Sequence, residues 1–112
     1  MPFVSVSTAM PTPKETMNTL QQEIGRIIAL IPGKNIDNCM TRIEGGADIF
    51  MSGAAAKAVF CEVRVYGEAP KDSKAAVVAE LHALFTTQLG AEKVYTHFIE
   101  SKEWGSGANY NG

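Results

Sequence analysis

Ala58-Val59-Phe60-Cys61-Glu62-Val63-Arg64-Val65-Tyr66 is the stretch that decides the fold. Val59, Cys61, Val63 and Val65 alternate with Phe60, Glu62, Arg64 and Tyr66, the period of two that a half-buried strand requires. One face is wholly apolar and calls for a covering layer. The other mixes two aromatic rings with charges, a poor solvent face and a plausible contact between subunits. Downstream, residues 67–72 read as a turn. A second helix follows, capped by Asp72 or Ser73, with Val78, Leu81, Phe85 and Leu89 on one face and Gly90 at its C-cap. Lys93 to Ile99 reads as a further strand, with Tyr95, His97 and Ile99 on one side.

Upstream, the same order appears. Phe3 to Ser7 alternate as a strand. Thr12-Pro13-Lys14-Glu15 has the form of a capping box with proline in the first turn. Met17, Leu20, Ile24, Ile27, Ile28 and Ile31 recur at helical spacing, Pro32-Gly33 stops the helix, and residues 37–44 read as a strand. Residues 49–56 are left as loop with at most a short bridge. The chain is thus expected to be one domain, 1–112, with an internal β-α-β repeat over about 2–45 and 58–99. The expected class is α+β: a four-stranded mixed sheet with both helices on one face.

Composition narrows the function. The 112 residues carry a formal charge of −2 and no basic run, which argues against nucleic acid or an anionic membrane as partner. No apolar stretch approaches the length of a membrane span. MPFVSVSTAMPTPKE has neither the basic n-region nor the apolar h-region of a signal peptide, so the cytoplasm is the expected compartment. Cys39 and Cys61 read as small apolar residues on buried strands. With His82 and His97 they make a poor zinc set, and no metal is expected.

Several short pieces, weak singly, occur in order: Pro2 followed by Phe3-Val4, Pro32-Gly33-Lys34 after the first helix, Tyr66-Gly67 closing the third strand and Val94-Tyr95 opening the fourth. With these the chain resembles the tautomerase superfamily, and most closely the macrophage migration inhibitory factor group, over nearly its whole length. The resemblance implies a homotrimer with sheets facing inward and active sites at subunit boundaries. Pro2, Lys34 and the Tyr66 region would come from one chain and Tyr95 from its neighbour. It implies a cofactor-independent keto–enol tautomerase, an isomerase acting on phenylpyruvate-like 2-oxo acids.

In that reading Met1 is trimmed and the amine of Pro2 is the general base. Lys34 binds the substrate carboxylate and lowers the amine pKa, and Lys34 and Tyr95 stabilise the enolate. Tyr66, His97, Arg64 and Trp104 are further substrate-binding candidates. Departures from the group's pattern are Ala58 in place of the first cysteine of a CxxC, His97 in place of an asparagine, and Tyr66 in place of a small aliphatic residue. Arg42, Glu44, Glu62 and Arg64 are expected to form cross-strand ion pairs. Trp104 and Tyr110 either cover the pocket mouth or latch onto a neighbour. Two other readings stand beside this one. One is a cytokine-like binding protein with a vestigial pocket, exported without a leader and meeting a receptor. The other is a hydratase or dehalogenase using Arg64 and Glu100.

Overall fold

The computed structural model describes residues 2–112. Four strands form the central sheet: β1 (Phe3–Thr8), β2 (Met40–Glu44), β5 (Ala58–Tyr66) and β6 (Lys93–Ser101). Their order is β2-β1-β5-β6. β1 pairs parallel with β2, antiparallel with β5, and β5 pairs parallel with β6. The parallel partners are joined by α1 (Lys14–Ile28) and α2 (Lys71–Leu89), which gives the two β-α-β units and the mixed sheet. Two small hairpins complete the chain: β3 (Phe50–Met51) with β4 (Ala54–Ala55), and β7 (Trp104–Ser106) with β8 (Asn109–Asn111).

Both helices cover the apolar face. Val59, Cys61, Val63 and Val65 are buried with Val4 and Val6 against Leu20, Ile24, Ile27, Ile28 and Ile31 of the first helical region. α2 contributes Val77, Leu81 and Phe85. Removing a Leu, Ile or Phe side chain from water contributes about 2 kcal/mol, so this one layer supplies much of the drive to fold. Val77 takes the place expected of Val78, which is 41 % exposed. Met17 is only half-buried.

Neither helix is capped as its sequence suggests. Pro13 and Pro70 are the N-cap residues, and neither helix has a side-chain cap. Thr12 is packed elsewhere: a side chain at Gly45 would collide with its hydroxyl. Asp72 accepts a hydrogen bond from the Ser73 amide at 2.9 Å, but both already lie inside α2. At the other end Gly90 takes the left-handed conformation expected of it, φ 67°.

β2 begins later than expected. Residues 36–38 wind into a short 3-10 turn, because Gly25 of α1 leaves the space into which Ile36 packs. Cys39 therefore precedes the strand and is half-buried, while Cys61 lies in the core. Residues 49–56 fold as the small β3-β4 hairpin, and β6 runs two residues past Ile99.

Among the described residues no helix covers the other sheet face. Its residues fall into three rows fixed by register: Met40–Phe3–Arg64–Ile99, Arg42–Ser5–Glu62–His97 and Glu44–Ser7–Phe60–Tyr95. Met40, Phe60 and Tyr95 are all exposed large apolar or aromatic residues on this face. The expected cross-strand pairing of its charges is not what forms. Arg42 pairs with Glu44, and Arg64 with Glu62, each along its own strand. Among the described residues of this face, the charged contact that does cross strands is His97 Nδ1 to Glu62 Oε2, 3.7 Å.

Candidate active site

Pro2 is buried at the start of β1. Its carbonyl accepts a 3.0 Å hydrogen bond from the Met40 amide, which fixes it against the first residue of β2. The next residue, Phe3, lies level with Met40 on one side and Arg64 on the other. These strands and the β7 arm of the tail enclose a groove of about 570 Å³, lined among others by Pro2, Phe3, Asn38, Met40, Arg64 and Trp104. A buried proline, an aromatic pair and a guanidinium therefore share one concavity. Whether Met1 is trimmed lies outside the described residues.

Lys34 is delivered by the turn that follows α1. Ile31 accepts a hydrogen bond from the Lys34 amide at 3.1 Å, and Gly33 within that turn has φ 81°, a conformation that glycine takes without strain. The side chain then crosses to β5, where Nζ donates to the Tyr66 carbonyl at 3.1 Å. Tyr66 lies two residues past Arg64. Arg64 is level with Phe3, so the ammonium is anchored at the end of the sheet where β1 begins.

Arg64 is held from two sides. Its guanidinium carbon is 5.9 Å from the centre of the Phe3 ring, within cation–π range. One of its nitrogens is 3.4 Å from Glu62 Oε1, an ion pair with 45 % of the arginine side chain exposed. Trp104 reaches the groove because the tail folds back as a hairpin. Ser101 Oγ donates to the Glu103 carbonyl at 2.6 Å and starts the reversal, and the Gly67 amide ties Ser101 to the end of β5 at 2.8 Å. Tyr110 donates to Glu103 Oε1 at 2.8 Å, a bond that pushes its phenol pKa up. Trp104 thus lines the groove, whereas Tyr110 is exposed at the surface of the hairpin.

Tyr95 and His97 are not brought to Pro2. Tyr95 is level with Phe60 and Ser7, four residues along β1 from Phe3. At the rise of a strand that is about 13 Å from the groove's row. His97 occupies the middle row, beside Glu62. Both are on β6, an edge strand, and both are exposed. His82 is exposed on α2.

Glu100 is engaged elsewhere. Its carboxylate accepts from Lys74 Nζ and from the Ala69 amide, both at 2.7 Å, at the start of α2. The lysine first and the amide second hold its pKa below the ordinary carboxylate value. It lines a separate hollow with Lys71, Lys74 and Lys102, so Arg64 and Glu100 do not share a cavity. Burial pushes the Cys61 thiol up to about 12 and raises that of Cys39. No group of three His, Cys, Asp or Glu side chains suited to a metal exists among the described residues. No described helix is long and apolar enough to cross a membrane.

Phe3, Asn38 and Met40 were not singled out from sequence as groove residues. The available signal was indirect: if Pro2 opens the site, the residue after it and the first residues of the strand parallel to it must flank it.

The model of the macrophage migration inhibitory factor family matches residues 1–111. The chain belongs to the macrophage migration inhibitory factor family. Solved structures of low sequence identity share its fold. A MIF2 protein of Leishmania major is 22 % identical, with 98 % of this chain and 97 % of that one covered at a TM-score of 0.90. A macrophage migration inhibitory factor-like protein of Entamoeba histolytica is 18 % identical, with 97 % of each chain covered and a TM-score of 0.84. A chain of a fused wild-type 4-OT asymmetric trimer is 14 % identical, covers 96 % and 94 %, and has a TM-score of 0.79. No curated protein matches the sequence. Family membership agrees with the two β-α-β units and with a tautomerase-like or migration-inhibitory-factor-like role. At these identities the structural likenesses concern the fold alone.

Proposed function

We propose that the protein is a keto–enol tautomerase of 2-oxo acids, with phenylpyruvate as the test substrate and the N-terminal amine of Pro2, freed from Met1, as general base. The observation that carries this reading is the burial of Pro2 at the wall of a groove that also holds Arg64, Phe3 and Trp104. A secondary amine has a lone pair that a peptide nitrogen lacks. Burial disfavours its protonated form, and so does the ammonium of Lys34 anchored at the same end of the sheet. Both effects lower the amine pKa toward the pH at which a base works best.

In this mechanism the neutral amine takes the proton alpha to the substrate carbonyl. The electron pair of that C–H bond becomes the C=C bond of the enolate, and charge collects on the carbonyl oxygen. Lys34 faces that oxygen, and the phenol of Tyr95 from a neighbouring subunit donates to it. Fixed donors at the point of developing charge supply the largest share of such catalysis. The proton then returns from Pro2, to oxygen in one direction and to carbon in the other. Phe3 and Trp104 flank an aryl group. The chemistry draws on side chains and the terminal amine, with no cofactor in any step. Tyr66, whose carbonyl holds Lys34, and His97, beside Glu62, act at the edges of the site.

The assembly proposed is a homotrimer. The bare sheet face, with Met40, Phe60 and Tyr95 exposed, is the contact surface, and the edge strand β6 carries Tyr95 to the next subunit. The hydratase alternative lacks its acid, since Glu100 is bound to Lys74 and Ala69.

The test is the enol–keto conversion of phenylpyruvate followed by ultraviolet absorbance, with intact mass measured on the same sample. The expected result is turnover by protein one methionine lighter than the full sequence, reduced by two orders of magnitude or more in Pro2→Gly, the range for losing a positioned base. Full activity in Pro2→Gly, or in protein that retains Met1, would overturn the proposal. A folded trimer inert toward 2-oxo acids and enols would turn attention to a binding role.

A further inference from the structure

We propose that Glu100 is a positioning residue of the site: from β6 it holds the turn after β5, and with it the Tyr66–Gly67 peptide that anchors Lys34. The inference rests on the tautomerase reading above and adds a residue to it.

The peptide group between Tyr66 and Gly67 is bonded at both ends. Its carbonyl accepts from Lys34 Nζ at 3.1 Å, and its amide donates to the Ser101 carbonyl at 2.8 Å. The direction in which that carbonyl points therefore sets where the ammonium lies. β5 ends at Tyr66, so the turn that follows is not held by a strand ladder. Gly67 has φ 84°, and a glycine restrains its own backbone least of all residues. Pro70 has no amide hydrogen with which to tie the turn down before α2 begins. The turn must be held from outside.

Glu100 supplies that hold. Its Oε2 accepts from the Ala69 amide at 2.7 Å, and its Oε1 takes Lys74 Nζ at the same distance. One carboxylate thus grips the turn and the first part of α2 together. Charge-assisted hydrogen bonds of this length are the stronger kind. Glu100 and Ser101 are consecutive on β6, so adjacent residues of one strand fix Gly67 and Ala69, on either side of Glu68. Alternation along β6 places Glu100 with Phe98 on the helix-covered side, opposite Tyr95 and His97. Its partners come from its own chain, and the arrangement does not depend on what meets the open sheet face. Glu100 acts on Lys34 through the turn.

The test combines native-state amide exchange with a double-mutant cycle, both on mature protein. In Glu100→Ala the Gly67 amide should exchange about tenfold faster or more, while the Val63 amide, inside β5, keeps its wild-type rate and shows the fold intact. The kcat for phenylpyruvate should fall about tenfold, the effect of an ammonium displaced but still present. In the Lys34→Met background the same substitution should change kcat less than about twofold, because no ammonium remains to position. Glu100→Gln, whose amide oxygen still accepts from Ala69, should recover part of the loss.

A Gly67 amide that exchanges at the wild-type rate in Glu100→Ala overturns the proposal. So does a kcat loss that persists undiminished in the Lys34→Met background, as a general weakening of the fold would give. Wild-type protein without turnover removes the tautomerase, and Gly67 exchange then decides alone whether Glu100 holds the peptide. Wild-type turnover with an unchanged kcat in Glu100→Ala removes Glu100 from the site and leaves the tautomerase standing.

Discussion

The ammonium of Lys34 and the main-chain carbonyl of Tyr66 are joined by a 3.1 Å hydrogen bond that spans 32 residues of sequence. The bond fastens the turn after α1 to the end of β5, beside the start of β1. It gives a surface turn a fixed position and sets a positive charge at the end of β5.

Lys34→Met is therefore expected to impair chemistry more than folding. The half-buried stem keeps its packing, while the charge proposed to lower the amine pKa and to face the enolate oxygen is lost. The kcat for phenylpyruvate should fall about a hundredfold, and the ascending, low-pH limb that reports Pro2 in the pH–rate profile should move to higher pH. An unchanged profile would mean that the ammonium does not act on Pro2.

Glu100 also gives a prediction about stability. Lys74 and the Ala69 amide lower its pKa in the folded protein. A group whose folded pKa is depressed binds fewer protons folded than unfolded, so stability falls as pH falls. The contribution is complete above its ordinary value of 4.5 and is lost as the pH drops through the lowered folded value. Urea unfolding of the wild type should show this loss below about pH 5, and Glu100→Gln should show a smaller one. Equal slopes in the two proteins would remove Glu100 from the account.

The core prediction is more conventional. Ile24 and Phe85 are fully buried, one on each helix, against the same sheet face. Ile24→Ala and Phe85→Ala should each cost about 3–4 kcal/mol, the lost transfer energy plus a cavity. Cys61→Ser places a hydroxyl where the thiol is wholly buried, and should cost about 1–3 kcal/mol unless a partner is found. Urea melts of the assembled protein measure all three. A change below about 1 kcal/mol in either alanine variant would mean that the site collapses around the gap.

How much of this was legible in the sequence differs by residue. The strand Ala58–Tyr66 has the bounds expected because its alternation is strict and turn residues flank it. The helix starts were misread because Pro13 and Pro70 occupy the N-caps, and proline has no side-chain acceptor to betray a cap. Val78 was chosen over Val77 because two adjacent valines leave the phase of the helix undetermined by one residue. The charges of the open face were paired across strands, but Arg42 and Glu44, like Glu62 and Arg64, are i and i+2 on one face and reach each other first. Of the candidate site, Pro2, Arg64 and Trp104 converge in one groove. The separation of Tyr95 from them depends on the β5–β6 register, which no local pattern encodes.

That separation yields the sharpest test of assembly. Within one chain Tyr95 sits on the row of Phe60 and Ser7, while Pro2 precedes Phe3 at the opposite end of β1. A phenol about 13 Å along the sheet cannot touch a substrate at Pro2, so if it takes part it must do so from another copy. Pro2→Gly and Tyr95→Phe should each be impaired as pure proteins, the second by about tenfold for a lost neutral donor. Unfolded together and refolded as a mixture, they should regain activity, because some boundaries then pair an intact Pro2 with an intact Tyr95. The recovered rate should follow the statistical fraction of such boundaries across a series of mixing ratios, with sedimentation confirming three chains per particle. A mixture that never exceeds the average of its two components would place the phenol outside the reaction, and the trimer would then need another justification.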